Sequence, residues 1–188
     1  MKSYTKITPE GTKDILFEEC KTRRHIESTL SKVFTLRGYN EVLTPGLEYF
    51  ELFRLPEASI PIDEMFKTTD NNGRLIIFRP DSTLPIARLA ATRLKNVEKP
   101  LRLFYNQPIY RNTPDLNGRN NEYSQMGIEL LGAGGLKSDI EVLVTAIEAI
   151  SSCTDDFRFE IGHAGFFKEL AKLLDLPDEK KDLLKDAI

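Results

Sequence analysis

The segment Glu122–Leu131 constrains this chain most, because its two alternating sets of residues differ in kind. Successive side chains of an extended strand point to opposite faces. Ser124, Met126, Ile128 and Leu130 make one mostly apolar face, and Tyr123, Gln125, Gly127, Glu129 and Leu131 make the other. One face therefore needs a core. The other sets an amide and a carboxylate astride a glycine, where something can approach the backbone closely. Glutamate only accepts hydrogen bonds and glutamine both donates and accepts, so the pair suits an ammonium group or an imidazole N–H. The solvated face of a half-exposed sheet accounts for the same alternation without a ligand.

The rest of the chain supplies partners for that strand. Residues 65–69 and 74–79 flank Asp70-Asn71-Asn72-Gly73, and the Asn-Gly pair provides the positive φ of a tight hairpin turn. Residues 101–111 read as a second long strand, separated from the first by a polar loop, 112–121, with Pro114, Asp115, Asn117 and Gly118. Residues 157–161 read as one more strand. Helices are expected at 17–37, where Ile26, Leu30, Val33 and Phe34 recur at helical spacing before a C-capping Gly38, and at 83–94, capped by Ser82 or Asp81. Ser138-Asp139-Ile140-Glu141 has capping-box spacing, with Ile140, Leu143, Val144, Ile147 and Ile150 as the buried face of a third helix. Residues 1–16, punctuated by Pro9 and Gly11, read as an extended arm, and 166–174 and 178–188 as short helices broken at Pro177. The sum is an α+β domain, an antiparallel sheet flanked by helices. Leu183, Leu184 and Ile188 form an apolar stripe with no later partner, as expected of a fragment of a longer protein or of a partner surface.

Charge and cysteine usage narrow the function. Lys and Arg number 26 against 29 Asp and Glu, a net charge of -3, so the whole chain has no strong attraction to nucleic acid. Cys20 and Cys153 stand at no metal-ligand spacing and the two histidines are far apart, so neither a disulfide framework nor a metal site is expected. No apolar run approaches the roughly 18 residues of a membrane span, and the N-terminus has no apolar signal core, so a cytoplasmic protein is expected. Gly132 to Ser138 superficially suggests a phosphate loop. Lys137 stands where a dinucleotide fingerprint needs glycine, and Leu136 where a Walker loop needs one, which leaves a turn. His25 and His163 have no surrounding set that would make a triad or metal site. Arg79-Pro80-Asp81-Ser82-Thr83 lies at a strand-to-helix junction, where its oxygens either cap the helix or face a ligand. Arg111, at a strand end, has the fork that clamps a carboxylate or phosphate, although such arginines are commonly just solvated.

Taken together, Arg79-Pro80-Asp81-Ser82-Thr83, Tyr110-Arg111, Gly118-Arg119 and Glu122 to Gly132 resemble the Arg-Pro-Glu-Gly-Thr segment, second class II motif and Gln-x-x-x-Glu strand of histidyl-tRNA synthetases. Pro9-Glu10-Gly11-Thr12-Lys13-Asp14 is similar to that family's N-terminal Gly-x-x-Asp segment. The resemblance implies a class II synthetase-like core over residues 1–162, with 163–188 beginning a small helical inserted or appended region. It also implies a histidine pocket formed by Asp81, Thr83, Gln125 and Glu129, with Arg111 beside the amino-acid carboxylate.

Two positions depart from the synthetase pattern. The adenine-reading glutamate is Thr113 here, and an arginine that helps hold the nucleotide phosphates is Asn121. Each lost charge-assisted contact is worth about 1.5 to 3 kcal/mol, which argues against adenylation. Glu160 to Phe167 resembles the Gly-His-x-Gly-Phe-Phe stretch of a paralogue family, the regulatory subunits of ATP phosphoribosyltransferase. That likeness implies a subunit with no catalytic residues and no cofactor, which senses L-histidine in the first step of histidine biosynthesis. It further implies a partnership with the short-form catalytic subunit, as a homodimer within a hetero-oligomer, with no tRNA and no membrane. A fragment of a true histidyl-tRNA synthetase is the alternative. A stand-alone amino-acid-binding module is a third reading.

Overall fold

The computed structural model describes residues 4–55, 60–113, 120–162, 165, 169, 172 and 177. They fall into two units, Met1–Asp155 and Asp156–Ile188. In the first, three α-helices, α1 (Phe17–Leu36), α2 (Thr83–Ala91) and α3 (Leu136–Ser151), accompany six strands. The strands are β1 (Asn40–Glu41), β2 (Leu47–Tyr49), β3 (Lys67–Thr69), β4 (Leu75–Phe78), β5 (Leu101–Tyr110) and β6 (Glu122–Leu131). The α+β class is as the sequence predicts. The strands divide into two three-stranded sheets, ordered β1-β5-β6 and β2-β4-β3, and β1 runs parallel to β5.

Local chemistry sets the elements where the sequence places them. Helix α1 ends in a Schellman motif, with Gly38 at φ +82°, its N–H on the Thr35 carbonyl, and the Tyr39 N–H on the Phe34 carbonyl. The hairpin forms at Gly73, φ +75°, where the Asp70 carboxylate accepts hydrogen bonds from the Asn72 and Arg74 amides. β5 and β6 pair in an unbroken antiparallel register from Leu101↔Leu131 to Tyr110↔Glu122. The apolar face of β6 meets the expected core, for Met126 and Ile128 pack on the buried cluster of Val33, Phe34, Tyr39, Phe104 and Ala149. The Phe34 and Phe104 rings lie 5.6 Å apart, each contributing about 1.5 to 3 kcal/mol by burial. Leu131, on the opposite face, packs on Ile86, Leu101, Leu103 and Tyr105.

Arg79 joins the two sheets. It is 2% exposed, and its guanidinium donates to the carbonyls of Thr44, Pro45 and Pro108. Its own backbone N–H donates to Gly46, and its carbonyl accepts from Tyr110 at the end of β5. The turn that follows, Pro80 to Thr83, is thereby fixed beside β6.

Several expectations are corrected. α3 begins at Leu136 behind a Gly135 N-cap at φ +88°, so the Ser138 capping box does not form, and the Ser138 hydroxyl instead donates to the Gly134 carbonyl. The inward face of α3 is Thr145 and Ala149, whereas Ile140, Val144, Ile147 and Ile150 are exposed. Small residues let α3 approach α1, where Glu148 pairs with Arg37, and that packing turns the larger side chains outward. α2 stops at Ala91, where Thr92 leaves helical dihedrals at φ −111° and ψ −83° while its N–H and hydroxyl both donate to the Arg88 carbonyl, but Leu94 still packs against the core. Ser82 makes no side-chain cap, and its buried hydroxyl has no partner among the described residues. Residues 157–161 form no strand. Between Met1 and Leu16 the described residues form one short 3-10 turn, Tyr4–Lys6, within otherwise irregular chain. In the second unit Gly165, Glu169 and Lys172 are helical, and Lys172 pairs with Glu169 at 2.6 Å. His163, Gly118, Arg119 and the 178–188 helix lie outside the described residues.

Candidate functional site

The Asp81 to Thr83 turn and β6 are stitched together by side chains. One oxygen of Asp81 accepts from the Thr83 N–H at 2.8 Å, the geometry that opens α2, and the other accepts from Gln125 Nε2 at 3.1 Å. The Gln125 carbonyl in turn accepts from the Ser82 N–H at 3.2 Å. Thr83 Oγ1 donates to Glu129 Oε1 at 2.9 Å, and Arg111 Nε donates to the Pro80 carbonyl at 3.2 Å. All five residues singled out from the sequence, Asp81, Thr83, Arg111, Gln125 and Glu129, thus belong to one connected patch. Both ends of the Gln125 amide bond to the turn, Nε2 to Asp81 and the carbonyl to the Ser82 N–H.

The bare spot at Gly127 is filled by the protein itself. Tyr105 is its cross-strand partner, and a Cβ added to Gly127 would stand 2.5 Å from the Tyr105 hydroxyl. Tyr105 is the site residue that sequence reading misses. Its signal was the register, since a tyrosine opposite a glycine on the same sheet face fills the glycine's space.

Two carboxylates dominate the electrostatics. Burial raises the Glu129 carboxyl above its ordinary value, the Thr83 hydrogen bond opposes this, and the nearby negative charge of Asp81 reinforces it. Burial, with Glu129 and Asp81 adding to it, pushes the Tyr105 phenol up to about 12, so it remains a donor at neutral pH. A patch with paired acceptors and Arg111 at its edge matches a small molecule with cationic N–H donors at one end and a carboxylate at the other. Beside it lies a cavity of about 280 Å³, lined by Glu64, Ile109, Arg111, Thr113, Tyr123 and Gln125. A larger, mostly apolar cavity of about 450 Å³ lies between α1 and β6, with Ile26, Leu30, Ser124 and Met126 in its lining and none of the five residues. No group of three His, Cys, Asp or Glu among the described residues is placed to hold a metal.

Thr113 and Asn121 are bonded to each other. Asn121 Oδ1 accepts from the Thr113 N–H at 3.2 Å, and its backbone carbonyl accepts from the Arg111 N–H at 2.8 Å. Its side chain donates to the Glu10 carbonyl at 3.1 Å and its N–H to the Gly11 carbonyl at 2.6 Å. Gly11, φ +75°, has no room for a Cβ, which would lie 2.5 Å from Asn121 Nδ2. Asparagine supplies an acceptor that arginine lacks, so this position ties the N-terminal arm to the ends of β5 and β6.

Comparison with known proteins agrees with this architecture. The chain is 39% identical to an ATP phosphoribosyltransferase regulatory subunit of Clostridium botulinum, over 100% of its own length and 45% of that protein's. It is 42% identical to the protein of the same name from Clostridium acetobutylicum, again over 100% of its length and 46% of that protein's. The chain therefore spans about half the length of the curated relatives it matches. A crystal structure of an ATP phosphoribosyltransferase regulatory subunit/histidyl-tRNA synthetase from Bacillus halodurans superposes with a TM-score of 0.89 at 34% identity, covering 99% of this chain and 48% of that one. Apo histidyl-tRNA synthetase of S. aureus superposes with a TM-score of 0.65 at 31% identity, over 78% of this chain and 34% of that one. The histidyl-tRNA synthetase family profile matches residues 11–188, and the chain belongs to that family.

Proposed function

We propose that this chain is the front part of a regulatory subunit of ATP phosphoribosyltransferase, acting in the first step of histidine biosynthesis as a histidine sensor without catalysis of its own. The observation that carries the reading is the connected patch. Asp81 and Glu129 present carboxylate acceptors hydrogen-bonded by Gln125 and Thr83, and Arg111, which donates to the Pro80 carbonyl, supplies the cation at the edge of the patch. L-histidine has the complementary groups, an α-ammonium, an imidazole N–H and a carboxylate. The names of the relatives support the regulatory assignment. The conversion of positions 113 and 121 into a structural tie supports loss of nucleotide handling. For regulation, histidine must bind one state of the assembly better than another, since equal affinity shifts nothing.

The partner in this reading is the short-form catalytic subunit, with the sensor a homodimer inside a cytoplasmic hetero-oligomer and with residues from 163 onward beginning a small helical region. The test is capture of the short catalytic subunit by the full-length protein, followed by phosphoribosyltransferase assays with and without histidine. Capture together with a histidine-dependent rate supports the reading. Rates unaffected by histidine, or histidine-dependent pyrophosphate exchange of the synthetase kind, would refute it. Calorimetry adds a local check, in which Glu129→Ala weakens histidine binding strongly.

A further inference from the structure

From the end of β5 onward, four consecutive backbone amides are each held from outside the segment. The N–H of Tyr110 donates to the Arg79 carbonyl at 2.9 Å and that of Asn112 to the Glu64 carbonyl at 2.8 Å. Between and beyond them, the N–H of Arg111 donates to the Asn121 carbonyl at 2.8 Å and that of Thr113 to Asn121 Oδ1 at 3.2 Å. Arg111 and Thr113, the two residues that Asn121 holds, both line the cavity of about 280 Å³. The Arg111 side chain is anchored through Nε on the Pro80 carbonyl at 3.2 Å, so where its terminal nitrogens fall depends on where its backbone is fixed. Asn121 is in turn held from behind. Its Nδ2 donates to the Glu10 carbonyl at 3.1 Å and its N–H to the Gly11 carbonyl at 2.6 Å, and a Cβ on Gly11 would stand 2.5 Å from Nδ2.

We propose that Asn121 is a positioning residue of the ligand site: it braces the chain on either side of Asn112 so that the Arg111 fork meets the ligand's carboxylate, with Glu10 and Gly11 of the N-terminal arm as its backstop. This deepens the amino-acid-sensor reading and rests on it. The asparagine amide suits the task because it accepts from the Thr113 N–H and donates to the Glu10 carbonyl at once. Removing the side chain leaves both of those groups without it and frees the end of the segment. A fork–carboxylate pair depends on planar, two-point geometry, so small shifts of the arginine backbone cost affinity there before they cost it elsewhere in the site. The ligand's ammonium and imidazole ends fall to Asp81 and Glu129, which Asn121 does not touch. Asn121 therefore governs how strongly the site prefers an amino acid over the matching amine.

The experiment is calorimetric titration of the full-length protein at neutral pH with L-histidine and with histamine, which lacks only the carboxylate. The quantity read is the ratio of the two affinities, for wild type, Asn121→Ala, Gly11→Ala, Arg111→Ala and the double variant at 111 and 121. Arg111→Ala should lower the preference for histidine about tenfold to a hundredfold, the range for one charge-assisted contact. Asn121→Ala should lower it about fivefold to tenfold, through weaker histidine binding with histamine binding kept. The double variant should fall no further than Arg111→Ala alone, since both changes act on one contact. Gly11→Ala pushes on Asn121 from the arm side, far from the ligand, and should lower the preference in the same direction; it answers the question even if Asn121→Ala does not fold. A role limited to stability would weaken both ligands by the same factor. An unchanged preference in Asn121→Ala and Gly11→Ala, beside an Arg111→Ala that has lost it, overturns this proposal and leaves the sensor reading standing. Failure of wild type to bind histidine, or a preference untouched by Arg111→Ala, overturns both.

Discussion

Replacing Arg79 with methionine should cost about 3 to 5 kcal/mol of stability, the large loss expected when a buried hydrogen-bond network is stripped of its charged donor. The guanidinium is 2% exposed and donates to three backbone carbonyls, at 2.7 Å to Thr44, 2.8 Å to Pro45 and 2.5 Å to Pro108. Hydrogen bonds to a charged donor are worth about 1.5 to 3 kcal/mol each, so three of them sum to more than the expected loss. The difference is desolvation. Burial holds the arginine below its ordinary pKa, and that penalty is released when the charge is removed. Methionine fills much of the volume but takes the donor from the Thr44, Pro45 and Pro108 carbonyls, of which Thr44 is buried, and these carbonyls sit on the β1–β2 connection and on β5, so the two sheets lose a shared tie. Arg79→Lys keeps the charge but has no planar fork to span three acceptors, and should lose about 1 to 3 kcal/mol. Urea unfolding of each variant at neutral pH, followed by far-ultraviolet circular dichroism, measures both. A methionine variant within about 1 kcal/mol of wild type would refute the argument that these carbonyls depend on the guanidinium.

Burial raises the Glu129 carboxyl, so the folded chain holds that proton more tightly than the unfolded chain does, and its stabilising contribution is complete at acid pH and lost as pH rises. Glu129→Gln should accordingly be more stable than wild type at neutral pH, with the gap closing toward about pH 4; a gap that instead widens in acid contradicts this sign. Glu141 behaves oppositely, since the hydrogen bond from Arg102 lowers its carboxyl, so Glu141→Gln should be destabilised at neutral pH and match wild type in strong acid. With Arg102 and Glu141 36% and 26% exposed, the loss should stay below about 1 kcal/mol in urea titrations. Gly38→Ala and Gly127→Ala should both destabilise, for different reasons. Gly38 lies at φ +82° with nothing near its missing Cβ, so conformation alone costs about 1 to 2 kcal/mol, whereas Gly127 drives a methyl into Tyr105, and only there should Tyr105→Ala partly restore stability.

The elements legible in the sequence are those whose cause lies within a few residues. The Asn-Gly turn, Gly38 behind an amphipathic run and the two-faced alternation of β6 each carry their signal in backbone conformation or periodicity, and each appears in the structure where it was read. The same local reasoning fails on α3. Its capping box and apolar stripe are genuine patterns, but a positive-φ Gly135 starts the helix earlier and the contact with α1 turns Thr145 and Ala149 inward.

The candidate site divides in the same way. That Gln125 and Glu129 share a strand face follows from a period of two, and the sequence by itself determined it. That Gln125 is spent on Asp81 and Ser82, that Thr83 faces Glu129, and that Tyr105 occupies the glycine's space were decided by the tertiary structure. Those contacts join residues more than 20 positions apart, and each is set by strand register and by how Arg79 seats the turn. Register is a property of two strands and their shared core, and no window along one of them contains it.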